Sequence, residues 1–120
     1  ILRPGGLSLH GVNCGDHYAY VDRRITAIHY LRYSEQRWRL WNNDILFQNR
    51  LRASDFLAAA AHAGLAVVRD WHRAKPELLA RLPELPIDPQ FRHYSDVDLC
   101  CTSIDFAATP TAVGTVSGQE

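Results

Sequence analysis

The chain has 120 residues, of which 47% are apolar and three are tryptophan, so it can bury one small core and is not a disordered polyelectrolyte. Its 13 basic and 13 acidic residues cancel, which removes the whole-molecule signature of a polyanion binder and makes a nucleic-acid partner an unfavoured expectation. Three cysteines without a CxxC spacing exclude a disulfide framework, and no apolar run approaches the ~20 residues needed to span a bilayer. The expectation is a cytoplasmic protein with no membrane partner. The sequence contains no methionine and starts Ile-Leu-Arg-Pro-Gly-Gly, which leads to the further expectation of a piece of a longer product.

The chain opens on a turn, Leu2-Arg3-Pro4-Gly5-Gly6, where proline fixes φ and glycine tolerates unusual φ. Residues 7–12 alternate apolar with small or polar side chains and predict a strand. The stretch 13–18 breaks that pattern and predicts a loop just past a strand end, where α/β proteins carry ligand contacts. Residues 20–33 are aromatic and basic without clean periodicity, consistent with short helical turns. Ser34 predicts an N-cap for a helix over 35–41, followed by a turn at Asn42-Asn43-Asp44 and an irregular link over 45–52.

The stretch 51–70 organises the rest. Ser54 is the expected N-cap and Asp55 suits the positive helix end. Phe56, Leu57, Ala60 and Ala61 recur at helical spacing, Gly64 suits the position after the helix end, and residues 65–68 predict an apolar strand. Pro76 suits the first turn of a short helix reaching about residue 82. Pro83, Pro86 and Pro89 then break regular structure, with Leu85, Ile87 and Phe91 pinning the segment to the core. Residues 98–106 predict the last strand, with Cys100 and Cys101 as small core residues, and 107–120 predict a disordered tail.

Four blocks and the opening turn carry a family resemblance. The turn at residues 2–6 resembles the proline-glycine-glycine turn before the fifth strand of class I S-adenosylmethionine-dependent methyltransferases. Asp16-His17-Tyr18-Ala19-Tyr20, Tyr30-Leu31-Arg32-Tyr33-Ser34, Gln48-Asn49-Arg50-Leu51-Arg52 and Ala63-Gly64-Leu65 are, in this order, similar to a bacterial subgroup of that superfamily. The resemblance spans residues 1–106 and implies an α/β fold: the C-terminal, substrate-side portion of a Rossmann-like sheet. Residues 7–12, 65–70 and 99–106 would be strands five, six and seven. In that family strand five lies between strands four and seven, and strands six and seven form an antiparallel hairpin. The implied cofactor is S-adenosyl-L-methionine. The seven glycines contain no GxGxG, so its main contacts are expected outside this chain, which alone is expected to be inactive.

Methyl transfer is an in-line displacement that needs positioning and, for many acceptors, a base. Asp16 and His17 follow the first strand, on the rim where the family places acceptors. His17 is the candidate base because imidazole titrates near neutrality; the alternative is that Asp16 caps a helical turn and His17 hydrogen-bonds structurally. His10, Asp16 and His17 offer no fourth ligand at a metal-binding spacing, so no metal is expected. Tyr18, Asn49, Arg50 and Arg52 are candidate contacts to a small-molecule acceptor, anionic in the case of the arginines, whose forks equally suit ion pairs that fix the loop. Tyr18, Tyr20, Tyr30, Tyr33, Trp38 and Trp41 either line an acceptor pocket or form a small core of their own. Seven arginines between residues 23 and 52, against Glu35 and Asp44, sustain a second functional class: a non-catalytic remnant or binding module that contacts an anionic partner. The open edge left at residues 7–12 predicts self-association.

Overall fold

The computed structural model describes residues 2–45 and 47–111. The fold is α/β, with a small sheet and several helices packed on and beside it. Strand β1 is Ser8–Asn13, β2 is Leu65–Trp71 and β3 is Ser103–Pro110. Among the described residues they form one three-stranded sheet in the order β1-β3-β2, with β3 antiparallel to both neighbours. Ser8 faces Ala108 and Val12 faces Ile104 on one side; Leu65 faces Pro110 and Trp71 faces Asp105 on the other. The register of β2 slips between Val67 and Arg69, a bulge that accommodates Val68.

Helix α1, Glu35–Trp41, starts as its sequence predicts: the Ser34 hydroxyl accepts from Arg37 N at 3.3 Å. Helix α2, Ala53–His62, starts two residues earlier than expected, with Arg52 at its N-cap. Ser54 is not its cap. Asp55 Oδ2 accepts from Arg52 N at 2.8 Å and closes the first turn, while Ser54 N and its hydroxyl both donate to the Asp98 carboxylate. A carboxylate from far along the chain takes the hydroxyl that a local cap would have used. Helix α2 ends as predicted, at Gly64 with φ of 85°, and Thr111 N and its hydroxyl both donate to Gly64 O at 2.9 Å. Helix α3, Pro76–Arg81, places Pro76 in its first turn.

The expected last strand over 98–106 is corrected. Residues Asp96–Leu99 form a single helical turn, α4, because the Ser95 hydroxyl accepts from Asp98 N at 3.1 Å. Strand β3 begins only at Ser103 and runs to Pro110, so 107–110 belong to the sheet and not to a tail. The rest of the expected tail, from residue 112, lies outside the described residues.

Two apolar clusters share the interior. One lies between α2 and the sheet: Ala53, Ala60, Cys101, Ile104, Phe106 and Ala108, with Phe56 and Leu57 half-buried against it. Ala61, expected on the same stripe, is exposed. The other is built from turns and short helices: Ile28, Tyr30, Leu31, Trp38, Leu78, Ile87, Phe91, Leu99 and Cys100. Between them stands Arg52, with no exposed surface. Its guanidinium donates to Tyr30 Oη at 3.0 Å, Cys101 O at 2.6 Å, Asp98 O at 3.4 Å and Leu99 O at 3.5 Å. The carbonyls of Asp98, Leu99 and Cys101 lie at the end of α4 and before β3, outside the three-stranded ladder, and the arginine fork donates to them.

Candidate acceptor site at the end of the first strand

Past β1 the chain turns sharply and is pinned at each residue. Asn13 Oδ1 accepts from Gly15 N at 2.8 Å, Cys14 N donates to Thr102 O at 2.8 Å, and Asp16 N donates to Ala27 O at 2.7 Å. Tyr30 Oη donates to Cys14 O. This loop is rigid because both its own amides and its carbonyls are used.

Asp16 then caps a 3₁₀ turn, His17–Tyr20, by accepting from Tyr18 N at 2.9 Å. Its carboxyl is buried, and burial raises its pKa above the ordinary carboxylate range, offset in part by the amides of Tyr18 and Tyr30. His17 is exposed and stacks on Tyr20 at 5.7 Å between centroids. Its backbone N–H donates to Gln48 Oε1 at 2.9 Å. The two neighbours therefore face different spaces. His17 lines a polar cleft of about 120 Å³ with Asn13, Gln48 and Asn49. Asp16 and Tyr18 line an aromatic cavity of about 210 Å³ on the other side of the turn.

Gln48 joins the two loops, although spacing alone assigned it no role. Its amide N and O pair reciprocally with the Asn42 side chain at 2.8 and 3.0 Å, and its side-chain oxygen holds His17. Its Nε2 is buried and finds no hydrogen-bond partner, although other atoms of the residue line the His17 cleft. The signal was a polar residue inside one of the quoted blocks, but its partner lies 31 residues away.

The remaining candidates separate. Asn49 is exposed and lines both the His17 cleft and a larger one of about 340 Å³, where Arg50, Trp38, His93 and Tyr94 also stand. Arg50 is mostly committed: it donates to Tyr30 O and Tyr33 O, pairs with Glu35 at 2.9 Å, and lies over the rings of Trp38 and Phe91. Arg52, expected to touch an acceptor, is instead enclosed by the carbonyls described above and lines none of these clefts. Of the arginines between 23 and 52, Arg24 pairs with Asp22, while Arg23, Arg32, Arg37 and Arg39 are exposed. Among the described residues no three His, Cys, Asp or Glu side chains come together as metal ligands, and His10 stacks on Phe106. Among them, too, no helix is long and apolar enough to cross a membrane. No protein-family model, no curated protein and no solved structure matches the chain.

Proposed function

We propose that the chain is the substrate-side portion of a class I S-adenosylmethionine-dependent methyltransferase, and that it positions a small-molecule acceptor at the end of β1. The observation that carries this reading is the strand order. A middle strand antiparallel to both neighbours, in the order β1-β3-β2, is the arrangement that strands five, seven and six would take in that family. The residues present do not include a glycine-rich cradle for the cofactor, so no cofactor contact is assigned to them. S-adenosylmethionine would supply an electrophilic methyl group. This chain supplies the acceptor's setting: a hydrogen-bonded loop, the His17 imidazole to take a proton from the acceptor atom, and the exposed Asn49 side chain as a polar contact.

The test uses the protein encoded when the reading frame is extended upstream of Ile1. Calorimetric titration with S-adenosylmethionine should show binding. Once an acceptor is found, His17→Ala should lower turnover by roughly 10²-fold or more while cofactor affinity is retained. An upstream sequence without a glycine-rich strand-loop-helix, or a longer protein that does not bind S-adenosylmethionine, overturns the reading.

A further inference from the structure

The aromatic cavity behind Asp16 is a site in its own right. Tyr18, Tyr33, Trp38 and Trp41 supply four of its walls, and Asp16 lies among them. Aromatic side chains that serve only as core close on one another and leave no void larger than a water molecule. Here Tyr33 stands 6.3 Å from both Trp38 and Trp41, yet about 210 Å³ remains open, and half of the Trp41 surface is exposed. That space is smaller than the ~300 Å³ lower bound of pockets for drug-sized ligands, so it suits a head-group.

Two acids, Asp16 and Asp22, line the cavity. Asp16 is buried and, among the described residues, forms no ion pair. Asp22 stands at the cavity too, paired outward with the exposed Arg24. The third titratable group is His29, whose pKa is lowered by desolvation and by Arg32, which favours the neutral ring at physiological pH. A buried carboxylate with no ion-pair partner among the described residues, sharing one cavity with electron-rich rings, is the chemistry that attracts an organic cation and discriminates against its neutral counterpart. The Arg50 guanidinium, 5.4 Å from the Trp38 centroid, and the stacked Tyr33 occupy the buried Trp38 ring, which leaves Tyr33 and the half-exposed Trp41 to face a cation.

We propose that this cavity binds an alkylated ammonium group, its positive charge over Tyr33 and Trp41 and directed toward Asp16. The assignment stands on the cavity alone and does not depend on the methyl-transfer reading. It also explains why an aromatic, partly exposed turn is kept open beside a buried acid.

Choline is the probe, and 3,3-dimethyl-1-butanol, which replaces its nitrogen by carbon, is the neutral control. Tryptophan fluorescence and calorimetry on the 120-residue chain should show saturable choline binding, with the control at least ~10-fold weaker. Trp41→Leu, at a half-exposed position that does not threaten the fold, should weaken choline by about 10-fold. Asp16→Asn should erase the preference for choline over the control; because Asp16 also caps the 3₁₀ turn, its circular dichroism is recorded alongside. Absence of choline binding, equal binding of the two probes, or binding that Trp41→Leu leaves unchanged would each overturn the proposal.

Discussion

Replacing Arg52 by methionine tests the most unusual feature of the interior. Methionine keeps the approximate length and volume of the side chain and removes all five donors. Two of the four bonds are short, to Cys101 O at 2.6 Å and Tyr30 Oη at 3.0 Å. The other two, at 3.4 and 3.5 Å, contribute little. Leaving Cys101 O unsatisfied costs about 1–3 kcal/mol, and Tyr30 Oη, which keeps its bond to Cys14 O, loses a charged hydrogen bond of about 1.5–3 kcal/mol, so the two losses come to about 2.5–6 kcal/mol. Removing a buried charge returns part of its desolvation penalty, which places the net loss near 3 kcal/mol. A domain of this size has about 5–15 kcal/mol in total, so the shift is large. The assay is urea denaturation followed by tryptophan fluorescence, for which buried Trp38 reports core opening. Exposed Arg23→Met is the matched control and should stay within about 0.5 kcal/mol of the parent. If Arg52→Met also stays within that band, the guanidinium does not hold the 98–101 backbone, and the account of the two clusters fails.

Three further outcomes follow from other parts of the fold. Gly64→Val should cost about 1–3 kcal/mol, because φ of 85° strains a β-branched residue even though the space beside Gly64 is open; coincident melts of variant and parent would show the strain is absent. Burial raises the Cys14 pKa from 9.0 to about 11, so across that interval the native state keeps a proton that the unfolded chain has released. Stability must therefore fall as pH rises from 9 to 11, and thermal melts should show a shallower fall in Cys14→Ala; identical slopes would remove the thiol from the account. Strand β1 pairs only with β3 among the described residues and exposes Leu7 and Leu9. Light scattering after size exclusion should reveal association that Leu9→Lys abolishes, whereas a monodisperse monomer at tens of micromolar would mean the edge is not adhesive.

The parts of this fold that were legible are those written locally. The alternation in 7–12, Ser34 before α1, Gly64 after α2 and Pro76 at the start of α3 each act within one turn of the chain, and each produced the element expected. What escaped depends on distant partners. Ser54 is an apt cap by type, but Asp98 reaches it from 44 residues away. The run Leu99-Cys100-Cys101 is apolar enough for a strand, yet Ser95 and the Arg52 fork hold it in a turn. Arginines are commonly solvated, so nothing in residues 23–52 separated the buried Arg50 and Arg52 from the exposed Arg23 and Arg37. At the candidate site, adjacency in sequence suggested that Asp16 and His17 work together, and the 3₁₀ turn between them sends them into separate spaces.

The strand order also dictates a timetable. Of the three strands, the central one is made last: β1 meets β3 through Ser8 and Ala108, a hundred residues apart, and β2 has no other partner among the described residues. Until Ser103–Pro110 is made, Ser8–Asn13 and Leu65–Trp71 lack the strand that joins them. Closing so long a loop is entropically costly and slow, and the waiting strands are open to wrong partners in the meantime. The sheet therefore closes through the last of its strands, whereas α1 and α2, whose turns close locally, need no distant partner to form.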